Sequence, residues 1–279
     1  MKKHLKYIAA LLIIICICAI ALMSSAAKES KQQSGAQILS REKSETDVYW
    51  NKAEKEVYKS VSKLKKQNRQ EISAKQNLRK LMHGNPSEKE IAITFDDGPH
   101  PKFTPQILDI LQRNNVKATF FLVGELAEKN PDLVKKEIAG GHSIGNHTYH
   151  HVNLTKIPSQ YIATEIQACG DVLKSIGVKN PRLFRPPGGD YDLNVATIAN
   201  SLGYTIILWT DDPGDYLSPG ERIIESRTLS KAKNGGIILI HDGVQQTVNI
   251  LPGLIKSLKK RGYRFVTIDD WIKNNTSTK

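Results

Sequence analysis

Short apolar runs alternate with amphipathic segments from about residue 88 onwards, and this alternation constrains the fold more than any other feature of the chain. Apolar runs such as Ile91–Phe95 predict strands that are buried on both faces, and amphipathic segments such as Pro105–Arg113 predict helices. Repeated strand–helix units imply an α/β fold with a mostly parallel sheet and helical crossovers. About seven such units favour a closed or nearly closed barrel over an open sheet.

The predicted strands and helices alternate along the whole of this region, which we assign as one domain over residues 88–279. The predicted strands are Ile91–Phe95, Ala118–Val123, Ser143–Asn146, Leu183–Arg185, Tyr204–Trp209, Ile237–Ile240 and Arg264–Val266. The predicted helices are Pro105–Arg113, Pro131–Ala139, Ser159–Ser175, Asn194–Leu202, Glu221–Ala232 and Leu251–Arg261.

The first 27 residues form an apolar segment that is separate from this domain. Residues 8–27 carry no charge, and three lysines precede them. About 20 apolar residues can span a bilayer, and the lysines are expected to stay on the cytoplasmic side. The small residues Ser24–Ala27 also fit a signal-peptide cleavage site. We therefore expect either a single-pass protein of the cell membrane whose remaining chain is extracytoplasmic, or a secreted protein if residues 1–27 are cleaved.

Residues 28–87 are polar and rich in Lys, Glu, Gln and Ser. Apolar residues recur here at roughly helical spacing, but they are too few to form a domain alone, so we predict a mostly helical or disordered stalk. The net charge of +12 is concentrated towards the N-terminus, where it either contacts anionic lipid or wall polymer or is simply solvated. An exported chain without a basic, aromatic recognition motif is not expected to bind nucleic acid.

Ionisable or glycine-rich residues follow five of the predicted strands. The carboxyl ends of parallel barrel strands meet on one face, where active sites are built. Turns alone also favour Asp and Gly, but so many polar strand ends, two of them with histidine, indicate a site. The segments are Asp96–Gly98, His147–His151, Pro186–Gly189, Asp211–Asp215 and His241–Gly243.

The first two of these segments contain the groups of a hydrolytic metal site. Two imidazoles and one carboxylate can hold an ion and leave a position for water. His147 lies three residues before His150 and four before His151, and both spacings place the two rings on one face of a helical turn. The residues alone therefore leave the second histidine ligand open. The same donor set also fits a non-haem iron oxygenase.

A hydrolytic reaction also needs a base and an acid beside the ion. Asp96 and Asp97 point in different directions at a strand end, so that one can bind the metal while the other takes a proton from water. His241, at the end of another strand, can donate a proton to a leaving nitrogen. This combination favours amide or ester hydrolysis over iron-dependent oxidation.

Five ordered motifs within residues 90–272 are Thr94–Gly98, Asn146–His151, Arg185–Gly189, Asp215–Tyr216 and Leu239–His241. They resemble the motifs of the polysaccharide deacetylases, the NodB-homology enzymes of carbohydrate esterase family 4. The first two motifs are highly specific together. The resemblance implies a distorted (β/α) barrel and metal-dependent removal of N-acetyl or O-acetyl groups from sugars.

The resemblance assigns a role to each of the catalytic side chains. It implies that Asp96 is the general base and that Arg185 pairs with it, which keeps the carboxylate ionised and aimed. It also implies that His241 is the general acid, and that Asp215 keeps this histidine oriented and protonated. Hydrolysis would then use a metal-activated water together with this base and this acid.

The resemblance further implies that Asp97, His147 and His151 bind the metal, which selects His151 over His150. The cofactor is expected to be a divalent ion, with zinc first and cobalt, nickel or manganese as alternatives. The ion and backbone N–H donors near Gly188 are implied to stabilise the oxyanion of the reaction.

Four residues are expected to contact the substrate, namely Gly188, Leu239, Tyr216 and Tyr191. The resemblance implies that Leu239 lines the pocket for the acetyl methyl group. Family members often carry an aromatic residue where Gly188 stands, and many have Trp where Tyr216 stands. Gly188 keeps its backbone N–H but removes a wall of the groove, so we expect these departures to affect the choice of sugar more than catalysis.

These inferences predict a metal-dependent hydrolase that removes N-acetyl groups from N-acetylglucosamine residues of cell-wall peptidoglycan. The alternatives are a deacetylase of chitin-like polymers or of a secreted poly-N-acetylglucosamine, an O-acetyl esterase, and a noncatalytic wall-binding relative. The chain retains every ionisable residue of the motifs, and this argues against the noncatalytic alternative.

Overall fold

The structure, a computed structural model, describes residues 58–276. The predicted anchor or signal peptide at residues 1–27 and the part of the predicted stalk before residue 58 lie outside the described residues. Within residues 58–276, none of the helices combines the length and the apolar character needed to cross a bilayer.

A single sheet of parallel strands forms the centre of the described region. Its strands are β1 Lys80–Leu81, β2 Glu90–Gly98, β3 Thr119–Leu122, β4 Ser143–Asn146, β5 Leu183–Phe184, β6 Thr205–Ile207, β7 Gly236–His241 and β8 Arg264–Phe265. They follow the order β1-β6-β5-β4-β3-β2-β7, and β8 pairs with the start of β2. Parallel neighbours need a crossover connection, and most of these connections contain a helix.

The helices pack around this sheet. The described α-helices are α1 Val61–Ser73, α2 Thr104–Arg113, α3 Gly124–Lys129, α4 Pro131–Ala139, α5 Ser159–Ile176, α6 Leu193–Ser201, α7 Glu221–Lys231, α8 Gln245–Lys260 and α9 Ile268–Thr276. Short 3-10 helices lie at Leu154–Lys156, Pro187–Gly189 and Asp215–Leu217. The last two of these follow β5 and β6, where the sequence predicts residues of the site.

The chain beyond β6 contacts β7 on the far side of the curved sheet. The N–H of Thr210 donates to the carbonyl of Ile237 in β7 at 3.0 Å, and the N–H of Leu239 donates to the carbonyl of Asp211 at 2.9 Å. The seven strands along the path from β1 to β7 thus form a parallel half-barrel, which matches the distorted (β/α) barrel predicted for the domain.

The core of the barrel is centred on β2. Ile91, Ile93 and Phe95 are fully buried, and the ring of Phe95 stacks on that of Phe120 in β3 with centroids 5.0 Å apart. Each fully buried aliphatic or aromatic side chain contributes roughly 1.5–3 kcal/mol. This packing fixes the position at which β2 ends, and it therefore fixes the position of the carboxylates that close the strand.

Most of the predicted strands and helices are confirmed, with small shifts at their ends. The strand β2 is longer than predicted and continues through Asp96 and Asp97 to Gly98. The helix α8 begins at Gln245, well before the predicted start at Leu251, because its polar first turn hides the apolar pattern that follows. The sequence analysis does not predict β1, α3 or α9.

Residues 58–87 pack on the barrel, and this corrects the predicted boundary at residue 88. The hydroxyl of the N-cap Ser60 accepts from the N–H of Lys63, and the helix α1 that follows buries Leu64 in the core. The strand β1 pairs with β6, and the N–H of Gly84 donates to the carbonyl of Gly235 at 2.8 Å. The few apolar residues of this segment are enough to hold it in place, because the barrel supplies the other side of each contact.

The substitution Leu64→Ala tests whether α1 belongs to the folded unit. Leu64 is 0% exposed, and removing its side chain leaves a cavity, so we expect the free energy of unfolding to fall by about 2–5 kcal/mol. Chemical denaturation followed by circular dichroism measures the change. The matched control Ile72→Ala alters a residue of the same helix that is 67% exposed, and it should change the stability by less than about 0.5 kcal/mol. Equally small effects of both substitutions would contradict the packing of α1.

Candidate active site

The side chains that follow β2, β4, β5 and β7 converge at the carboxyl-terminal end of the sheet. Asp96 of β2 lies beside His241 of β7 in the parallel register, and Asn146 of β4 lies beside Phe184 of β5. Because β3 is the only strand between β2 and β4, the segments after these four strands share one edge of the sheet. The predicted catalytic and metal-binding residues lie at this edge.

Asp97, His147 and His151 form a compact group of potential metal ligands, in which the donor atoms all lie within 4.8 Å of one another. The Oδ1 atom of Asp97 is 3.0 Å from Nε2 of His151 and 3.5 Å from Nε2 of His147. Donors held about 2.0–2.1 Å from a tetrahedral zinc ion lie roughly 3.3 Å apart. Two imidazoles and one carboxylate at these separations therefore fit a divalent ion with an open position.

The surroundings of this group prepare it to bind a cation. The Nδ1–H of His147 donates to the carbonyl of Arg185 at 2.7 Å, which leaves Nε2 directed at Asp97. Burial raises the pKa of Asp97, but the charge of His151 and hydrogen bonds from both histidines outweigh it, so that this pKa lies well below its usual range. The carboxylate is therefore ionised beside a protonated His151, and this histidine must release its proton before its ring nitrogen can bind an ion.

His150 is held by a different partner. Its Nδ1 lies 2.8 Å from Oε1 of Glu165 in α5. The other oxygen of Glu165 accepts from the backbone N–H groups of Tyr149 and His150, at 3.0 Å each. The structure therefore brings His151, and not His150, into the ligand group.

Three residues of the site that are not glycines have left-handed backbone conformations. Asp97 has φ 70°, Thr148 has φ 66° and His151 has φ 58°. Such conformations cost free energy in residues with a side chain, and they persist where the surroundings hold them. The side chain of Asn146 supplies one such contact, because its Oδ1 accepts from the N–H of Thr148 at 2.9 Å. These conformations therefore lower the stability of the fold and orient the side chains of the site.

Asp96 and Arg185 form a buried ion pair beside the ligand group. Nη1 of Arg185 donates to Oδ1 of Asp96 at 2.6 Å and to the hydroxyl of Thr94 at 2.8 Å. Its Nε donates to the carbonyl of Ile207 at 3.2 Å, and the guanidinium lies 4.1 Å from the ring centroid of Phe121. Burial lowers the pKa of Arg185, while the charge of Asp96 opposes this shift. These contacts hold the Asp96 carboxylate in one orientation.

His241 and Asp215 form a second buried pair. Oδ1 of Asp215 lies 2.8 Å from Nδ1 of His241, and Oδ2 accepts from the backbone N–H of His241 at 2.7 Å and from the hydroxyl of Thr247 at 2.6 Å. Burial lowers the pKa of His241, but Asp215, with smaller effects from Asp97 and Asp96, raises it to about 10. Nε2 of His241 has no hydrogen-bond partner among the described residues, so its proton is available to a bound group.

Two of the predicted substrate-binding residues, Tyr216 and Leu239, lie beside His241, and a third, Gly188, lies three residues after Arg185. The ring of Tyr216 is 5.3 Å from that of His241, and Leu239 is buried in β7 two residues before His241. Gly188 is buried in the 3-10 turn after β5 with φ 61°, a conformation that suits glycine. Gly188 and Tyr216, the two residues that depart from the commonest motifs, therefore both lie near the catalytic end of the sheet.

Tyr191 is not brought to the other site residues. It is 2% exposed, and its hydroxyl donates to Oε2 of Glu71 in α1 at 3.2 Å. Lys80 forms an ion pair with the same carboxylate. A separate stalk would have left Tyr191 at the surface, but the packing of α1 on the barrel covers it.

Known proteins are similar to this chain over about 190 residues. A peptidoglycan-N-acetylglucosamine deacetylase from Bacillus cereus is 42% identical over 192 residues, which cover 67% of this chain and 90% of that protein. A peptidoglycan-N-acetylmuramic acid deacetylase from Bacillus subtilis is 34% identical over 191 residues, which cover 67% of this chain and 73% of that protein. The sequence model of the family described as polysaccharide deacetylase matches residues 83–207. The chain belongs to the polysaccharide deacetylase family.

A solved structure of the polysaccharide deacetylase family has the same fold. It is the peptidoglycan N-acetylglucosamine deacetylase Bc1960 in complex with 4-naphthalen-1-yl-N-oxidanyl-benzamide. The two structures superimpose with a TM-score of 0.69 and 36% sequence identity, and the match covers 71% of this chain and 95% of that one. The resemblance drawn from the five motifs is therefore confirmed at the level of the family.

Three buried side chains support the site of this deacetylase without a role assigned from the sequence, namely Thr94, Glu165 and Thr247. Thr94 interrupts an apolar strand, and Glu165 lies between Ile162 and Ile166 on the buried face of α5. A polar residue within a buried apolar pattern is a signal for a specific hydrogen-bonding role. Thr247 gives no such signal, because it stands in the polar first turn of α8.

The pH dependence of activity tests the pair formed by His241 and Asp215. A general acid must be protonated, and Asp215 raises the pKa of His241 to about 10, so activity should persist until the pH rises through that pKa. In Asp215→Asn the raised pKa falls, and we expect kcat/KM to decline at a lower pH. A pH profile of both proteins measures this shift. The control Asp171→Asn, at an exposed position of α5, should keep the original profile. An unshifted alkaline limb in Asp215→Asn would contradict this role.

Proposed function

We propose that this protein removes N-acetyl groups from N-acetylglucosamine residues of cell-wall peptidoglycan in a reaction that depends on a divalent metal, most simply zinc. One observation carries the proposal. The donor atoms of Asp97, His147 and His151 lie within 4.8 Å of one another, and the buried Asp96–Arg185 and His241–Asp215 pairs lie beside them. Membership of a family whose relatives are peptidoglycan deacetylases supports the same reaction.

Asp97, His147 and His151 would hold the ion. When bound, a divalent ion at such a site polarises the acetyl carbonyl and lowers the pKa of water. The three protein ligands leave room in the coordination shell for the reacting groups. The same donors would also suit a non-haem iron centre, but the adjacent base and acid serve hydrolysis and have no role in oxygen activation.

Asp96 acts as the general base in this proposal. Its Oδ1 atom is engaged by Arg185, whereas its Oδ2 atom lies 3.7 Å from Nε2 of His147 and so faces the ligand group. An attacking water near these ligands can therefore transfer its proton to Oδ2. The fixed charge of Arg185 keeps Asp96 aimed at this position throughout the reaction.

His241 acts as the general acid. The amide nitrogen of an acetamide is a poor leaving group until it is protonated, and Nε2 of His241 carries a proton over the neutral range because Asp215 raises the pKa of the ring. Buried Leu239 precedes His241 on β7 and offers an apolar surface to the acetyl methyl group. Backbone N–H donors near Gly188 would complete the site on the oxyanion side.

The choice of peptidoglycan rests on the relatives and on the expected location. The relative with 42% identity is named for N-acetylglucosamine, whereas the one with 34% identity is named for N-acetylmuramic acid. Residues 1–27 support a location outside the cytoplasm, at the membrane or secreted, where the wall polymer is within reach. Chitin-like polymers, secreted poly-N-acetylglucosamine and O-acetyl esters are the alternative substrates for the same site.

Acetate release from purified peptidoglycan tests the proposed reaction. The full-length chain should release acetate, a chelator should stop the release, and added zinc should restore it. Asp96→Asn keeps the size of the side chain but removes the base, and we expect the rate to fall at least about a hundredfold. Asp109→Asn, at an exposed position of α2, is the matched control and should keep the rate. Failure of the unaltered protein to release acetate from any acetylated glycan would refute the proposal.

The metal content of two histidine variants tests the ligand assignment. His151→Ala removes a ligand, and we expect the protein to lose bound metal, because each donor of a three-residue site contributes strongly to affinity. His150→Ala removes the neighbouring ring, which contacts Glu165, and should retain metal. Elemental analysis after dialysis measures both. Equal metal content in the two variants would contradict the assignment of His151.

A further inference from the structure

A tyrosine from the segment before α1 reaches the proton-donor end of the site. The ring of Tyr58 stacks on that of Tyr216, with centroids 4.0 Å apart and an interplanar angle of 20°. Its edge meets His241, with centroids 5.3 Å apart and an angle of 87°. Tyr216 contacts His241 at the same distance of 5.3 Å. Two tyrosine rings therefore stand together against the histidine that would protonate the leaving group.

The residue after Tyr58 ties this segment to the turn that contains Gly188. The backbone N–H of Lys59 donates to the carbonyl of Gly188 at 2.8 Å, and its ammonium group lies 2.8 Å from Oδ1 of Asp190. Oδ2 of Asp190 accepts from Asn153 at 2.9 Å and from Thr155 at 3.0 Å. Burial raises the pKa of Asp190, but Lys59 and these donors lower it below its usual value, so the carboxylate stays charged and keeps its partners.

The helix that follows fixes the segment further. Leu64 is buried in the core, and the side-chain amide of Gln67 donates to the carbonyl of Tyr191 at 3.1 Å and to Glu71 at 2.8 Å. The contacts of Lys59 and those of α1 therefore hold the adjacent Tyr58 in place. Tyr58 is therefore a built part of the site.

The chemistry of the substrate explains what this ring would meet. In an N-acetylated sugar the amide nitrogen is attached directly to a ring carbon, so a sugar whose nitrogen reaches Nε2 of His241 must lie within a few bond lengths of the surrounding rings. The C–H faces of a pyranose ring are apolar, and they pack on the faces of aromatic side chains. Tyr58 is half-buried, so part of this residue remains accessible to solvent.

We propose that Tyr58, stacked on Tyr216, forms an aromatic wall of the glycan groove and positions the sugar whose acetamide is cleaved. The inference rests on the proposed function and adds to it a substrate-binding residue from outside residues 88–279. Gly188 has no side chain, and the anchoring of Lys59 to its carbonyl places the Tyr58 ring close to this turn.

Kinetics with two substrates test this role in the full-length protein. We expect Tyr58→Ala to raise the KM for an N-acetylglucosamine tetramer by about tenfold, the loss expected for a good aromatic contact, with a much smaller change in kcat. The KM for 4-nitrophenyl acetate, an acetyl ester without a sugar, should rise by less than about twofold. Tyr58→Phe keeps the ring and should restore the KM for the tetramer to within about twofold of the original.

Binding without turnover gives a second readout. In the Asp96→Asn background, the Kd for the tetramer measured by calorimetry should weaken about tenfold when Tyr58→Ala is added. Tyr263→Ala is the matched control, because this half-buried tyrosine lies beside Lys89 and next to β8, at the opposite end of β2. It should leave the Kd unchanged. Thermal unfolding of each variant verifies that it is folded.

Three outcomes would overturn the role of Tyr58. Unchanged KM and Kd in folded Tyr58→Ala, while the unaltered protein releases acetate, would refute the aromatic wall and leave the proposed function intact. Faster turnover of both the tetramer and the ester would show instead that Tyr58 is a cover that must move away. Absence of acetate release from the unaltered protein would refute the proposed function and, with it, this role.

Discussion

The rest of the site depends on the contacts of Arg185, whose guanidinium is buried. Its side chain binds Asp96, Thr94 and the carbonyl of Ile207, and its own carbonyl accepts from His147. A charge without access to water requires such partners, and the loss of one from a buried pair costs about 3–5 kcal/mol. One residue thereby connects the end of β2, the segment after β4 and the end of β6.

The different environments of the two adjacent carboxylates follow from this contact. Asp96 meets Arg185, whereas Asp97, in the same strand, adopts a left-handed conformation and meets two histidines. In the neighbouring pair, Asp215 raises the pKa of His241 to about 10, so the histidine retains its proton over the neutral range. The two buried pairs therefore lie side by side at the ends of β2 and β7, and each joins one acidic side chain to one basic side chain.

The alternation of strands and helices and the grouping of the ionisable residues could be predicted because both depend on local pattern. Apolar runs specify the buried strands, and residues at the carboxyl ends of parallel strands such as β2 and β7 must lie on one edge. The choice between His150 and His151 depends on Glu165, which is distant in sequence, and only the family resemblance anticipates it. The burial of Tyr191 and the position of Tyr58 depend on how α1 packs, and no periodicity within residues 28–87 encodes that contact.

The strand β1 has a consequence for how the protein can be shortened. It covers one edge of the sheet, where the N–H groups of Ile206 and Leu208 donate to the carbonyls of Arg79 and Leu81. The match to the family begins at residue 83, after this strand. A chain trimmed to that limit would expose these donors beside buried apolar side chains, and open strand edges of this kind are templates for pairing with other molecules. The polar segment that resembles a linker by composition therefore covers a sheet edge that would otherwise be open.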